Sequence, residues 1–135
     1  MNKIEILRNC PKKLDVAIII SKYKNQWLMC RKKFRDTWEF SGGHIETGET
    51  ATQAAIRELY EEIGATVKTI RHICYFVHTT DKFTKYGEAF FAEIDLIDSL
   101  PPNSEMEEVK IFDKLPTNLS YEETYRKILS FFNKQ

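Results

Sequence analysis

The chain has 135 residues, with 20 basic and 20 acidic side chains and a formal net charge of +0 at pH 7. Without a basic excess, a nucleic-acid polymer is a disfavoured partner, because such binding depends on many phosphate contacts. The longest apolar run, Val16 to Ile20, is too short to span a bilayer. We therefore expect a single domain over residues 1–135 that binds neither nucleic-acid polymers nor membranes.

The start of the chain and its cysteines predict the compartment. The opening residues, Met-Asn-Lys-Ile-Glu, lack the apolar region of a signal peptide. Cys10, Cys30 and Cys74 are odd in number and widely spaced, which disfavours a disulfide framework or a zinc site. We expect a cytoplasmic protein whose cysteines are packing residues. The sequence leaves a monomer and a homodimer equally open.

Patterns of β-branched and aromatic residues predict six strands along the chain. They are residues 14–20, 26–31, 38–40, 67–79, 86–96 and 109–112. Polar segments at 21–25 and 81–85 are predicted to connect the neighbouring strands. The third strand leads into a predicted glycine loop, Ser41-Gly42-Gly43.

Two helices are predicted from their capping signals. Thr50 and Gln53 form a capping box at the start of the first helix, and Gly64 suits a left-handed stop. Ser120 and Glu123 form a second capping box at the start of a C-terminal helix.

Each helix also shows an apolar stripe at helical spacing. The first stripe is Ala51, Ala55, Ile56, Leu59 and Ile63, and the second is Tyr125, Ile128, Leu129 and Phe132. The order of strands, helix, strands and helix predicts an α/β fold with a mixed sheet and a helix on each face.

The first helix carries three acids close together. Glu58, Glu61 and Glu62 are spaced i, i+3 and i+4, so they share one side of the helix and repel one another. Only Arg57 interrupts the cluster. Carboxylate oxygens on a rigid face suit Mg²⁺ or Mn²⁺, which a substrate's phosphates and water can complete. We therefore predict a divalent-cation site here.

The residues around this acid cluster, 43–65, have the spacing G-x5-E-x7-R-E-U-x-E-E-x-G-U, where U is a bulky aliphatic residue. The matching positions are Gly43, Glu49, Arg57, Glu58, Leu59, Glu61, Glu62, Gly64 and, as the single departure, Ala65. This pattern resembles the Nudix box, so we refer to residues 43–65 as the box. The resemblance implies an α/β/α sandwich and hydrolysis of nucleoside diphosphates linked to another group. Ala65 is a packing position, so the departure affects little chemistry.

The resemblance also implies roles for single residues. Glu58 and Glu62 are the implied principal metal ligands, Glu61 is a further ligand, and the carbonyl of Gly42 completes the site. Arg57 is implied to orient Glu58 and Glu49 through charge-assisted hydrogen bonds.

The general base is left open by the resemblance, because some members use a glutamate of the box and others use one from a later loop. In this chain the acids Glu105, Glu107 and Glu108 are predicted to lie in such a loop. Glu108 is the best-placed candidate.

The substrate is predicted from the segment before the box. Trp38-Glu-Phe-Ser-Gly-Gly43 resembles the W-E-F-P-G-G entry of MutT-like members, which remove oxidised nucleoside triphosphates, although Ser41 replaces the proline. The downstream markers of other subfamilies are missing from this sequence, which favours nucleoside triphosphates. Phe40 is predicted to stack on a base, Asn118 to pair with a base edge, and His44 is a weaker candidate for phosphate contact.

Two alternatives to hydrolysis remain at this point. The chain could be a nucleotide-binding module that has lost catalysis, although such members usually break the box. It could also be an isomerase of isoprenoid diphosphates, which would need a cysteine such as Cys30 or Cys74 in the active site.

Overall fold

The computed structural model describes residues 2–134, which form eight strands and two helices. In chain order these are β1 Asn2–Leu7, β2 Val16–Tyr23, β3 Gln26–Lys32, β4 Trp38–Glu39, β5 Ser41–His44, α1 Ala51–Ile63, β6 Ala65–Thr80, β7 Thr84–Ile97, β8 Met106–Phe112 and α2 Glu122–Phe132. All eight strands belong to one sheet with the order β1-β6-β7-β2-β3-β4. β5 pairs with β2, and β8 pairs with β3.

The sheet is mixed because β2 runs parallel to β7, whereas its other pairings are antiparallel. A helix connection from β5 to β6 and the long β6–β7 hairpin bring β7 back beside β2 in this direction. The predicted mixed sheet is therefore confirmed. In this topology β2, at the centre, contacts β7 on one side and both β3 and β5 on the other.

The connections are shorter than the sequence predicts. β2 continues to Tyr23, and only Lys24 and Asn25 form the turn to β3, with φ angles of 49° and 67°. Two central residues with positive φ match the twist of a hairpin, which is why the strands extend to the turn itself. In the same way, β6 reaches Thr80 and β7 begins at Thr84.

The first strand, β1, is missing from the sequence-based prediction. It pairs with β6 from Asn2 to Leu7, and Ile4 is 1% exposed. Lys127 of α2 donates to the Ile4 carbonyl at 2.6 Å, which attaches this edge strand to the helix above it. The alternation of Ile4 and Ile6 with charged neighbours was the signal that could have predicted it.

Helix α1 begins and ends as predicted. Thr50 accepts from the Gln53 amide, and the Gln53 side chain accepts from the Thr50 amide. Gly64 ends the helix at φ 67°, and its amide donates to the carbonyls of Leu59 and Tyr60. One member of the predicted apolar stripe was wrong, because Ile56 is 43% exposed. It lies about 20° beyond Ile63 on the helical wheel, at the edge of the buried arc.

The predicted capping box of α2 was also wrong. The helix begins at Glu122, and among residues 2–134 no side chain bonds to its first amides from the N-cap, Tyr121. Ser120 instead shares a 2.7 Å hydrogen bond with the Thr37 hydroxyl, and Glu123 lies 3.5 Å from Lys127 in an ion pair. The Ser120 side chain makes this tertiary contact and does not cap the helix.

Two apolar cores lie on opposite faces of the sheet, one under each helix. The core under α1 contains Ala17, Ile19, Leu28, Ala54, Ala55, Leu59, Ile63 and Phe90, among others. The core under α2 contains Ile20, Met29, Trp38, Phe40, Ile73, Phe76, Tyr125, Ile128 and Leu129, among others. This arrangement confirms the predicted helix on each face. In the part of the chain that the structure describes, neither helix has the length and apolar character needed to cross a membrane.

Candidate active site

The glycines before α1 lie in a strand. Residues Ser41–His44 form β5 and pair with β2, so the predicted glycine loop was wrong. A β-carbon at position 43 would lie 2.5 Å from the Glu58 carboxyl carbon. Glycine at this position therefore lets the Glu58 carboxylate rest directly against the strand backbone.

Two acids of α1 point toward the sheet rather than toward solvent. At about 100° per residue, Glu58 and Glu62 fall between Ala54 and Ala55 on the helical wheel, inside the buried arc. The side chain of Glu58 is accordingly 16% exposed, whereas that of Glu61, outside this arc, is 57% exposed. The helix thus holds two carboxylates at the edge of an apolar core.

Glu62 is the more buried of the two. The Gly42 amide donates to its Oε1 at 3.1 Å. Burial raises the pKa of Glu62 to about 8; the nearby Glu58 and Glu39 carboxylates raise it too, while the Gly42 hydrogen bond lowers it. A buried carboxylate in such surroundings is stabilised in its charged form by a neighbouring cation.

Arg57 connects the remaining acids. Its Nε and Nη2 atoms donate to the two oxygens of Glu49 at 2.7 and 2.9 Å, and Nη1 donates to Glu58 and Glu61, at 2.8 Å in each case. Nη2 also reaches the His44 carbonyl at 3.0 Å. These hydrogen bonds lower the pKa of Glu49 to about 2 and raise that of Arg57. Burial raises the pKa of Glu58, against the opposing effect of Arg57.

The box acids face a cleft of about 250 Å³, which we call the acidic cleft. It is lined by Glu58, Glu61, Glu62, Asn103, Ser104 and Glu105. The Ser104 hydroxyl donates to the Glu62 carbonyl at 2.5 Å, which fixes the loop before β8 against the end of α1. The cleft therefore combines a helix of the box with a segment about forty residues later.

The structure changes where two of the three predicted loop acids lie. Glu107 and Glu108 belong to β8 rather than to a loop. Glu108 lies 3.3 Å from the Arg31 guanidinium and is not among the described residues of the acidic cleft. Glu105, the third predicted loop acid, lines the cleft instead. The strand begins three residues earlier than the sequence predicts, and this places Glu108 beside Arg31.

The donor set of the cleft fits a hard divalent cation. Gly42 is the residue of β5 whose amide points to Glu62 rather than to β2. Because the amide and carbonyl of one antiparallel residue point the same way, the Gly42 carbonyl also faces the acids. Carboxylate and carbonyl oxygens are the ligands that Mg²⁺ and Mn²⁺ prefer. Within residues 2–134, however, no three ligating side chains converge at metal-binding spacing, and Arg57 holds both Glu58 and Glu61.

A cavity of about 350 Å³ adjoins the same strand, and we call it the central cavity. Its lining includes apolar residues of β2, β6 and α2, the glycines of β5, and Glu62. Polar groups that line it include Lys32, Glu39, Ser41, His44 and Lys85. Lys85 Nζ lies 3.0 Å from His44 Nε2. Because Glu62 lines both the acidic cleft and the central cavity, the two are parts of one site.

The two predicted substrate contacts do not fit this geometry. Phe40 lines the central cavity, but it is only 2% exposed and its ring packs against Trp27 and Tyr125, so little of the ring is available for a base. Asn118 donates to the Asp36 carbonyl at 2.6 Å and is not among the described residues of the central cavity. Phe40 is therefore a core residue, and the Asn118 side chain is used in a contact with the backbone.

Two other polar residues of the cavity were missed by the sequence analysis. The side chain of Glu39 is 6% exposed, and Lys32 Nζ lies 3.9 Å from its Oε1. Burial raises the pKa of Glu39, while Lys32 lowers it. Ser41 is 2% exposed. For Glu39 the signal was its place between Trp38 and Phe40 in a predicted strand, which makes burial the expected environment. Ser41 was predicted to lie in the glycine loop, so its burial had no such signal.

The cysteines do not contribute to this site. Cys30 and Cys74 are buried, and neither is among the described residues that line the acidic cleft or the central cavity. Burial raises the pKa of Cys74 to about 12 and raises that of Cys30 as well. Cys10 is exposed. The Glu62 and Glu39 carboxylates near Cys30 raise its pKa further, so both buried thiols are protonated at neutral pH.

Comparisons with known proteins identify a family. The family model of the NUDIX domain matches residues 11–129. YtkD of Bacillus subtilis, provisionally named an 8-oxo-dGTP diphosphatase, is 29% identical over 111 residues, which cover 82% of this chain and 70% of YtkD. An RNA pyrophosphohydrolase of Baumannia cicadellinicola is 39% identical over 72 residues, which cover 53% of this chain but only 43% of that protein.

Solved structures share the fold. The pyrophosphohydrolase BsRppH of Bacillus subtilis, solved as a mutant, superposes with a TM-score of 0.87 at 21% identity, covering 98% of this chain and 91% of that one. A Caenorhabditis elegans Ap4A hydrolase superposes with a TM-score of 0.64 at 21% identity, covering 89% of this chain and 99% of that one. At such identities the likeness concerns the fold alone.

Proposed function

Since the chain belongs to the Nudix hydrolase family, whose members act on acid anhydrides of phosphorus, we propose that it is a divalent-cation-dependent pyrophosphohydrolase. Its proposed substrate is a nucleoside triphosphate or another nucleoside diphosphate derivative. One observation carries the proposal: Glu58 and Glu62 are held on the buried side of α1 against the glycines of β5. Glu58 already bonds to Arg57, but Glu62 makes no ion pair within residues 2–134, and a buried carboxylate destabilises the fold unless a cation offsets its charge.

The residues that would hold the cation are Glu58 and Glu62, with Glu61 as a further ligand and the Gly42 carbonyl beside them. Members of the family generally use divalent cations, and the hard oxygen donors here favour Mg²⁺, with Mn²⁺ as a substitute. When bound, such an ion offsets the negative charge of the phosphates and of the transition state.

The remaining side chains orient these ligands. Arg57 bonds to Glu58 and Glu61 together, and Glu49 holds the guanidinium from the opposite side with two hydrogen bonds. A bidentate pair of this kind fixes both direction and distance. We therefore propose that Arg57 and Glu49 are positioning residues, which act on the reaction through Glu58 and Glu61.

Glu105 is the proposed general base in place of Glu108. It lines the acidic cleft together with Glu58 and Glu61, where an attacking water would lie beside the phosphates. Glu105 would accept a proton from that water as the water oxygen bonds to phosphorus, while the anhydride P–O bond breaks and the leaving phosphate group keeps the bonding electron pair. Glu61, a box acid with a half-exposed side chain, is the alternative base.

The central cavity suits the nucleoside end of the substrate. Lys85 and His44 lie on its wall near the glycines of β5, where they can contact phosphate oxygens. At the same wall Phe83 is 38% exposed and packs edge-on against His78. Phe83 replaces the buried Phe40 as the aromatic candidate for a base contact.

Nucleoside triphosphates, including oxidised ones, are the favoured substrates. The Trp38–Gly43 segment resembles that of MutT-like members, and YtkD is named for 8-oxo-dGTP. A second candidate is the 5′-triphosphate end of RNA, because several relatives at 35–42% identity are named RNA pyrophosphohydrolases. Their aligned segments span less than half of their own lengths, so the first candidate is preferred.

The test is a release assay with Mg²⁺ over unmodified and oxidised nucleoside triphosphates, dinucleoside polyphosphates, nucleotide sugars and a 5′-triphosphorylated oligonucleotide. We expect pyrophosphate or phosphate release from at least one nucleoside triphosphate, abolished by a chelator. Binding of nucleotides without turnover on the whole panel would indicate a non-catalytic module instead. The isomerase alternative predicts inactivation by a thiol reagent, whereas hydrolysis by the acids predicts none.

A further inference from the structure

Two polar atoms of the central cavity have no partner. Glu39 Oε2 and Ser41 Oγ are buried, and neither has a hydrogen bond to any group in residues 2–134. Both residues line the cavity, and their exposed fractions are 5% and 2%. The Cys30 thiol lies near Ser41, but it already donates to the Glu39 carbonyl at 3.4 Å, and a thiol is a weak hydrogen-bond partner.

Unpaired buried atoms of this kind are costly. Each unsatisfied polar group reduces stability by about 1–3 kcal/mol, and a carboxylate by more. Replacing Ser41 by alanine and Glu39 by an apolar residue would avoid the cost if the cavity stayed empty. Their presence in a cavity that opens toward the acidic cleft indicates that a ligand supplies the missing hydrogen bonds.

The two atoms belong to one recognition surface. Residues 39 and 41 are two apart on an extended segment, so their side chains leave the backbone on the same side, about 6–7 Å apart. The ring of Phe40, between them, packs on the other side against Tyr125. Lys32 lies beside Glu39 Oε1, which leaves Oε2 as the oxygen that is free to accept.

Because the proposed function makes the ligand a nucleotide, we propose that Glu39 and Ser41 bind its base and select bases with a ring N–H beside a carbonyl. A carboxylate oxygen accepts from the ring N–H, and the serine hydroxyl donates to the neighbouring carbonyl oxygen. Guanine, hypoxanthine, uracil and thymine present this edge. Adenine and cytosine present a ring nitrogen with a lone pair, which the carboxylate repels.

The proposed selection depends on Ser41, a residue in which this chain differs from the MutT-like segment. The related MutT-like segment carries proline here, and a proline has no hydroxyl to donate. Both side chains are buried, with exposed fractions of 5% for Glu39 and 2% for Ser41. In such a site, a missing or reversed hydrogen bond lowers affinity strongly, because the protein group stays unpaired.

The test is calorimetric binding of nucleoside 5′-monophosphates in the presence of a chelator, so that neither a cation nor turnover is required. We expect inosine and guanosine monophosphates to bind at least ~10-fold more tightly than adenosine monophosphate, and uridine more tightly than cytidine monophosphate. Glu39→Gln should remove or reverse the preference, because an amide pairs well with adenine. Ser41→Ala should weaken inosine monophosphate roughly 3- to 10-fold and leave adenosine monophosphate unchanged.

The controls are Glu107→Gln and Ser130→Ala, which change the same groups at exposed positions outside the central cavity and should retain wild-type binding. Melting curves show whether each variant is folded, and if Glu39→Gln is not, Ser41→Ala decides. Equal binding of inosine and adenosine monophosphates, or no binding of any, overturns the inference. If the protein shows the base preference but hydrolyses no substrate, the inference about Glu39 and Ser41 stands and the proposed function is wrong. If it hydrolyses nucleotides without the base preference, the proposed function stands and this inference is wrong.

Discussion

Helices α1 and α2 cover opposite faces of one sheet, yet they are specified in different ways. α1 has a complete capping box at Thr50 and a left-handed glycine at its end, and both are visible in the sequence. α2 begins at Tyr121 without a side-chain cap among the described residues and ends at Asn133 in an ordinary helical conformation. Its position instead follows from the burial of Tyr125, Ile128 and Leu129 in the core.

The difference matches what each helix does. α1 must hold two like charges against the sheet, which works against folding, so strong local signals at both ends help to fix the helix. The buried residues of α2, which are Thr124, Tyr125, Ile128 and Leu129, include no charged side chain. This helix contributes Tyr121, Thr124 and Tyr125 to the lining of the central cavity. The helix with the proposed metal ligands is thus the one defined by local sequence signals, whereas the helix that lines the cavity is positioned by packing.

The largest expected effect comes from the acids of α1. Glu58→Gln and Glu62→Gln should each lower kcat by at least ~100-fold, because a neutral amide lacks the negative charge that binds the proposed divalent cation. Glu122→Gln, at an exposed position of α2, is the matched control and should stay within about twofold of wild type. Steady-state rates with Mg²⁺ measure the effect. Full turnover by both α1 variants would disprove the assignment.

The pH dependence of stability sharpens the same contrast. Burial raises the pKa of Glu62 from 4.5 to about 8. The folded protein therefore binds this proton more tightly than the unfolded chain, and the resulting stabilisation is complete below pH 4.5. The stabilisation is lost as the pH rises through about 8. In a chelator, we expect the free energy of unfolding to fall by roughly 5 kcal/mol over this window, at about 1.4 kcal/mol for each unit of pKa difference.

Melting curves at a series of pH values measure this fall. Glu62→Gln should flatten it, Mg²⁺ should reduce it, and Glu122→Gln on α2 should leave it unchanged. A wild-type protein whose stability is independent of pH in the chelator would contradict the burial of this charge.

The C-terminal ends of the helices provide the third test. Gly64→Ala should destabilise the fold by about 2 kcal/mol, because alanine is strained in the left-handed region. Its β-carbon would also lie 2.9 Å from the Ser99 carbonyl oxygen. Asn133→Ala, at the corresponding end of α2, should cost less than ~0.5 kcal/mol because its φ is −70°. Urea unfolding of both variants separates the two, and equal losses would argue against the left-handed stop.

The smallest effect concerns the N-terminal ends. Thr50→Ala should cost about 1 kcal/mol, since it removes the oxygen that accepts from the Gln53 amide. Glu123→Ala should cost less than ~0.5 kcal/mol, because Glu123 makes an exposed ion pair with Lys127 rather than a capping box. Thermal unfolding distinguishes these values. A loss for Glu123→Ala as large as for Thr50→Ala would restore the capping box that the sequence suggested.

The sequence by itself determined the parts of this protein whose signals are local. The helix of the box, its caps and the family follow from residues within about twenty positions of one another, because capping bonds and helical periodicity act over a few residues. The mixed sheet was predicted from the order of the elements along the chain. The resemblance implied the contacts of Arg57 with Glu49 and Glu58, whereas its contact with Glu61 appears only in the structure.

Only the tertiary structure decided which side chains meet across the sheet. It placed Glu105 rather than Glu108 in the acidic cleft, buried Phe40, and left the atoms Glu39 Oε2 and Ser41 Oγ without hydrogen-bond partners among residues 2–134. Each outcome depends on strand register, and a shift of one residue reverses the face to which a side chain points. Register is set by pairings between distant segments, which local patterns do not encode.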